Sequence, residues 1–192
     1  MTNRLLCRED FLERIDKIAK AQPKGIILRE KDLPESEYKS LAKAVLEICG
    51  RYGTTCILHS FAQTAEELNA KALHLPLYRL RELPSNKISG FTRLGVSCHS
   101  AEEAKEAQKL GCTYITAGHV FDTDCKKGLP GRGVDFLKQV CDSVSLPVYA
   151  IGGINAENAA QAINAGAKGV CVMSGAMTCS DPQEYLERFR EI

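Results

Sequence analysis

Short runs of aliphatic and β-branched residues alternate along this chain with longer stretches whose apolar positions recur every three to four residues. The first kind predicts strands at 26–29, 54–58, 72–74, 93–97, 112–117, 147–151 and 168–173. The second kind predicts helices at 35–52, from Ser100 to Gly111, at 134–143, at 156–165 and at 181–190. Start and stop signals sharpen several of them. Thr64-Ala65-Glu66-Glu67 and Ser100-Ala101-Glu102-Glu103 have the spacing of capping boxes, in which hydroxyl and carboxylate satisfy free backbone donors reciprocally. Ala101, Ala104 and Ala107 form one small apolar face, and Gly111 and Gly166 suit helix ends. Asn155 is an expected N-cap, as is Asp181, followed by Pro182 at the first helical position.

A strand at 2–6 and a helix at 9–21 complete the pattern, which makes about eight βα units with a period of roughly 24 residues. The expected fold is an α/β, single-domain (β/α)8 TIM barrel over residues 1–192. An open doubly wound sheet is disfavoured, because no Gly-x-Gly-x-x-Gly opens the first helix.

Composition narrows the function classes. The chain is 44% hydrophobic and 26% charged, with a net charge of +1, so no overall basic field points to nucleic acid. No apolar run is long enough to span a bilayer, and Arg8-Glu9-Asp10 follows the first residues where a signal peptide would be apolar. A cytoplasmic protein is expected. Nine cysteines are an odd number, and none lie in Cys-x-x-Cys spacing, so they read as small buried hydrophobes in a reducing compartment. Cys125 differs, because Lys126 and Lys127 follow it in a glycine-flanked loop where neighbouring cations favour the thiolate.

In a barrel, chemistry sits at the C-terminal ends of the strands. All four histidines, His59, His74, His99 and His119, fall at or just beyond expected strand ends. They form no His-x-His pair and no His-Glu-x-x-His helix, so no metal site is expected. His119 is the candidate for proton transfer, because an imidazole titrates near neutral pH. Gly152-Gly153 and Ser174-Gly175 follow the last two strands and suit a phosphate cradle, where backbone must approach closely. Arg29, Lys31 and Lys126 also leave strand ends and are candidates for a carboxylate or a second phosphate. Arg79, Arg81 and Lys87 read as surface residues.

Five segments carry a resemblance: Leu28-Arg29-Glu30-Lys31, 94–100, 118–126, Ala150-Ile151-Gly152-Gly153-Ile154 and Val172-Met173-Ser174-Gly175. With these the chain resembles the thiamin phosphate synthase superfamily over nearly its whole length, and within it the TenI branch of thiazole tautomerases. Synthases usually have proline where this chain has His119, and threonine where it has Cys125. They usually open the first of these segments with glutamine, here Ile27. They place Asn-Asp where this chain has His59-Ser60, and a further acid after the position of His74-Leu75, here followed by Pro76-Leu77-Tyr78. Those acids serve magnesium and pyrophosphate, and without them the metal lacks its hard oxygen ligands.

The resemblance implies an isomerase. A dihydrothiazole carboxylate phosphate would become the aromatic carboxythiazole phosphate by proton transfer through His119, with no cofactor and no metal. The implied substrate-binding residues are Arg29, Lys31, His59, Ser97, His99, Thr123, Lys126, Gly152, Gly153, Ser174 and Gly175. The implied partner is a small-molecule thiazole phosphate, with no nucleic acid or membrane involved, and the chain is compatible with a homo-oligomer. Two alternatives compete: a thiamin phosphate synthase, which is a transferase, and a non-catalytic protein that binds a thiazole phosphate.

Overall fold

The computed structural model describes residues 1–126, 128–190 and 192. Seven strands are present among them: β1 (Ile26–Leu28), β2 (Cys56–His59), β3 (Ala72–Pro76), β4 (Arg93–Cys98), β5 (Tyr114–Gly118), β6 (Val148–Ile151) and β7 (Gly169–Cys171). They are parallel and ordered as in the chain, with helical crossovers between them, which is a TIM-barrel-like α/β architecture. Ten helices accompany them among the described residues: α1 (Phe11–Lys20), α2 (Glu35–Arg51), α3 (Ala62–Glu67), α4 (Leu77–Glu82), α5 (Ser85–Ile88), α6 (Ala101–Lys109), α7 (Gly133–Ser143), α8 (Ala159–Asn164), α9 (Ser174–Thr178) and α10 (Pro182–Glu187). No helix among the described residues is long and apolar enough to cross a membrane.

The chain forms two compact units, Met1–His74 with Met173–Glu191, and Leu75–Val172 with Ile192. In the first, β1 pairs with β2 from Ile26↔Cys56 to Leu28↔Leu58, and β2 pairs with β3 at Leu58↔Leu73 and His59↔His74. Leu28, Leu58, Leu73, Ile15 and Val45 have no exposed surface, so the apolar faces of α1 and α2 and the strands they cover form one core. In the second, β4 pairs with β5 from Gly95↔Tyr114 to Cys98↔Ala117, and β5 with β6 from Ile115↔Val148 to Gly118↔Ile151. Val96, Ile115, Ala150, Leu137 and Val140 are equally sealed there.

The strand expected at 2–6 does not form. Asn3 accepts the Leu5 N–H and starts a 3-10 turn over Arg4–Leu6. Only Thr2 behaves like a strand residue, donating its N–H to the Ile27 carbonyl at 2.9 Å. The expected capping box at Thr64 also fails. α3 starts at Ala62, and Thr64 is buried inside it with its hydroxyl on Glu35 Oε1 at 2.8 Å. The box at Ser100 forms in a shifted way. Ser100 Oγ accepts the Glu103 N–H at 3.1 Å, while Glu103 reaches back one residue further, to the His99 N–H at 2.6 Å. Asp181 caps α10 as expected, accepting from Gln183 and Glu184. Asn155 accepts from Glu157 and Asn158, capping the turn that leads into α8 rather than α8 itself.

Candidate active site

In the first unit, the segment after β1 is held by the N-terminal residues. Glu30 is buried, and both its carboxylate oxygens are engaged: the Thr2 hydroxyl donates to Oε1 at 2.6 Å, and the Arg4 N–H donates to Oε2 at 2.9 Å. Thr2 Oγ1 accepts the Arg29 N–H at 2.9 Å. The Arg4 guanidinium takes Asp32 at 2.7 Å, which holds that carboxyl below the usual carboxylate range. The two acids of Arg29-Glu30-Lys31-Asp32 are therefore committed to the N-terminal segment. Arg29 and Lys31 add to the lowering of the His59 pKa, behind burial and His74.

His59 is held on three sides. The Tyr38 hydroxyl, sealed under α2, accepts the His59 N–H at 2.7 Å and donates to the Leu28 carbonyl at 2.8 Å, so one side chain ties β1 to β2. His59 Nδ1 lies 2.7 Å from Ser60 Oγ, and Ser60 takes a left-handed φ of 70°. The His74 ring stacks on the His59 ring at 5.7 Å. Burial is the main reason that the His59 pKa falls to about 2, followed by His74, Arg29 and Lys31. Burial, with the N-terminal ammonium behind it, lowers His74 to about 3. Both imidazoles are neutral at physiological pH. Ser174 and Gly175 belong to the same unit and open α9. A Cβ at Gly175 would collide with the Tyr185 hydroxyl, the far end of a half-buried side chain that would have to move.

The second unit gathers the remaining expected residues around the end of β5. Ser97 sits opposite Thr116, whose hydroxyl donates to it at 3.3 Å. His99 is exposed, and its Nδ1 donates to the Gly118 carbonyl at 2.7 Å. The Gly118-His119 peptide is cis. His119 Nε2 donates to the Leu129 carbonyl of its own loop at 3.3 Å, and the His119 carbonyl accepts the Arg132 N–H at 3.1 Å. Thr123 Oγ1 accepts the Cys125 N–H at 3.4 Å, and the Thr123 carbonyl accepts the Lys126 N–H at 3.0 Å. The Lys126 and Cys125 side chains are exposed. Lys127, expected to act on Cys125, lies outside the described residues.

The Gly152-Gly153 turn is the floor of this loop. Gly152 has φ 98°, and a Cβ there would collide with the Cβ of His119; Gly153 has φ 65°, and its Cβ would collide with the Asp122 carbonyl. The Val120 and Phe121 N–H groups donate to the carbonyls of Ile151 and Gly152. Both glycines are thus demanded by the close passage of 119–122, whatever else the turn binds. Asp122 closes the loop by accepting the Gly131 N–H at 2.6 Å.

Sequence reasoning missed the supporting residues Thr2, Glu30, Tyr38, Thr116 and Asp122. Tyr38 gives no signal of its own, because it occupies an apolar position of an ordinary amphipathic helix. Cys49, Cys56, Cys98 and Cys112 are buried as expected, whereas Cys7, Cys141, Cys171 and Cys179 are only half-buried, and all nine cysteines are free thiols. Arg79, Arg81 and Lys87 are exposed, also as expected.

The magnesium implied by the synthase resemblance can be tested against these residues. A hard cation needs carboxylate and carbonyl oxygens. The places of the expected acids are held by His59-Ser60 and by Pro76-Leu77-Tyr78, and Glu30 and Asp32 are engaged elsewhere. No group of three or more His, Cys, Asp or Glu residues suited to a metal occurs among the described residues. The residues do not fit magnesium.

Comparison with known proteins supplies the family context. A family profile described as thiamine monophosphate synthase matches residues 1–176. The chain is 32% identical over 184 residues to a thiamine-phosphate synthase of Fusobacterium nucleatum, covering 93% of this chain and 87% of that one. It is 34% identical over 173 residues to a thiamine-phosphate synthase of Pyrococcus abyssi, covering 88% and 81%. A thiamine phosphate pyrophosphorylase from Pyrococcus furiosus superposes with a TM-score of 0.84 at 28% identity, over 99% of this chain and 91% of that one. A 3-hexulose-6-phosphate synthase at 16% identity and TM-score 0.69 shares the fold alone.

These relatives overturn the expected isomerase. The tautomerase reading rested on loop positions such as His119 and Cys125, whereas whole-length identity points to synthases, which are transferases. The geometry gives His119 another occupation, since its ring bonds to its own loop.

Proposed function

The chain belongs to the thiamine monophosphate synthase family, and we propose on that basis that it is a transferase joining a pyrimidine pyrophosphate to a thiazole phosphate. The observation that carries this reading is the identity of 32–34% to named thiamine-phosphate synthases across 88–93% of the chain. Residues 1–192 act as one catalytic domain in this proposal.

The reaction exchanges one bond for another. The C–O bond between the pyrimidine methylene carbon and pyrophosphate breaks, and its electron pair leaves on the pyrophosphate oxygen. The thiazole ring nitrogen gives its lone pair to the same carbon, forming a C–N bond and a thiazolium cation. No electron acceptor is involved and no proton transfer is obligatory. Such a reaction asks the protein to orient two substrates and to stabilise a departing polyanion.

The assigned roles follow from residue chemistry. Arg29 and Lys31 take the pyrophosphate, because their guanidinium and ammonium groups donate to phosphoryl oxygens. Gly152 and Gly153 in the second unit offer backbone N–H groups to a phosphate, and in the first unit Gly175 offers its N–H and Ser174 its hydroxyl. Ser97, His99, Thr123 and Lys126 contact the substrates, with Lys126 supplying a further cation. His119 acts as a loop anchor. No step runs through a metal.

The test is direct. Purified protein is incubated with both substrates, with and without magnesium, and the condensed thiamin phosphate is quantified by chromatography. Product and pyrophosphate in equal amounts are expected. A rate no faster than the protein-free control in every condition would sink the reading.

A further inference from the structure

Two of the nine cysteines are neighbours that the proposed reaction does not use. Cys49 lies in the last turn of α2, and Cys56 opens β2. Both are buried, at 1% and 7% exposure, and both belong to the first unit. The chain between them folds back on itself. The Cys49 carbonyl accepts the N–H groups of Tyr52 at 3.2 Å and Thr54 at 3.0 Å, and Gly53 supplies a left-handed φ of 66° at the reversal. The end of α2 thereby meets the start of β2, and the two side chains share a thiol–thiol hydrogen bond.

We infer that Cys49 and Cys56 form a reversible disulfide site, closed by a small peroxide and reopened by external thiols. The site stands apart from the proposed transferase activity and does not rest on it.

The two sulfurs have different roles. The bond from Cys56 lowers the Cys49 pKa, and the same bond, with burial behind it, raises that of Cys56 well above an ordinary thiol. Cys49 therefore reaches the thiolate form first, and the thiolate is the nucleophile. Cys98 and Cys112 lack this help, since burial pushes each of them up to about 12.

The chemistry balances in two steps. The Cys49 thiolate attacks one peroxide oxygen, the O–O bond breaks, and the departing hydroxide takes the thiol proton to become water. The Cys56 sulfur then attacks the resulting sulfenic acid. The S–O bond breaks, and hydroxide leaves with the Cys56 proton as a second water. Two thiols have given two electrons to one peroxide, and exchange with an external dithiol reverses the change.

Access is local. Gly50, Arg51 and Gly53 are exposed, and the place a Cβ would take at Gly50 or Gly53 has nothing within 4 Å. The segment joining the two sulfurs is thus open to solvent, and the last turn of a helix opens at a small fraction of the cost of global unfolding. Hydrogen peroxide is scarcely larger than water, so that opening admits it. The same freedom lets the sulfurs close to a bond of about 2.0 Å.

The test is a peptide map. The full chain is treated with hydrogen peroxide, quenched, unfolded in N-ethylmaleimide and digested with trypsin. Cleavage after Lys43, Arg51 and Lys71 puts each sulfur alone in its own peptide, 44–51 and 52–71. The expected product is these two peptides joined, two hydrogen atoms lighter than their sum, and absent when dithiothreitol precedes the maleimide. Exposed Cys125 reports that the oxidant was active. Both peptides recovered with maleimide at a dose that oxidises Cys125 would overturn the inference, as would Cys49 or Cys56 joined mainly to another cysteine. Cys56→Ala removes the partner, so Cys49 should persist as a sulfenic acid that dimedone traps. A Cys56→Ala chain that is folded by circular dichroism and resists dimedone at Cys49 would reject Cys49 as the attacking sulfur.

Discussion

His59 and His74 occupy paired positions on β2 and β3, and their rings lie 5.7 Å apart and 19° from parallel, both buried. Two imidazoles in that arrangement cannot both carry charge. Burial leads in lowering each, to about 2 for His59 and about 3 for His74. Between those values and the ordinary 6.5, the unfolded chain binds protons that the folded chain refuses. Stability is therefore highest above pH 6.5 and is lost as pH falls below it, by about 1.4 kcal/mol per pH unit for each histidine. Urea unfolding at pH 7 and pH 5 measures the drop, and the double variant His59→Gln with His74→Gln should flatten it. An equally steep drop in that variant would remove these residues as the cause.

Tyr38 makes a second prediction. Its hydroxyl serves the Leu28 carbonyl and the His59 N–H at once, and burial, opposed by the bond from the His59 N–H, pushes its pKa up. Tyr38→Phe keeps the ring against Phe61, whose centroid is 4.8 Å away, but orphans one donor and one acceptor. A loss of about 2–4 kcal/mol is expected from two unsatisfied buried groups. Chemical denaturation measures it. A loss below about half a kilocalorie, under the usual net worth of one hydrogen bond, would mean that the β1–β2 ladder does not depend on this bond.

Much of the fold was legible because α/β alternation is a local signal. Apolar runs such as Ile26-Ile27-Leu28 and the Ala104/Ala107 face lie where the structure puts strands and a buried helix face. The errors came from contacts between distant residues. Thr64 looked like a cap, but a hydrogen bond to Glu35 draws it into a buried position inside α3. Residues 2–6 looked like a strand, but Asn3 and the Arg4 backbone bond into a turn and to Glu30. The site was half legible. Arg29, Lys31 and His59 were visible as strand ends, whereas the groups that hold them are not marked by any motif. The isomerase expectation fails because the positions near His119 that depart from synthases are few, while likeness along the whole chain points to synthases.

Glu30 gives the third prediction. It is the acceptor for both the Thr2 hydroxyl and the Arg4 N–H, and Thr2 in turn holds the Arg29 backbone. Glu30→Ala removes both bonds and frees the segment that carries Arg29 and Lys31. Stability should fall by about 2–3 kcal/mol, since bonds to a charged group are the stronger kind. Pyrophosphate binding should weaken although neither cation has been changed. Glu30→Gln, which keeps an acceptor oxygen, should recover part of both. A variant that loses stability but binds pyrophosphate unchanged would show that Thr2 does not position Arg29.

The last prediction separates two glycines with similar backbone and different surroundings. Gly53 has φ 66° and nothing within 4 Å of the place a Cβ would take, whereas Gly152 has φ 98° and the Cβ of His119 already in that place. Gly53→Ala should cost only the left-handed backbone strain, about 1–2 kcal/mol, with turnover unchanged. Gly152→Ala adds a collision with a backbone-anchored residue, so the 119–122 stretch of the loop must move. That displacement breaks the Val120 and Phe121 bonds to Ile151 and Gly152. Denaturation should show a loss at least twice that of Gly53→Ala, and product formation should fall by at least about tenfold, because small misplacements of positioning groups cost rate steeply. Equal effects of the two substitutions would mean that the loop adapts freely and that its contact with the glycine turn does not set its position.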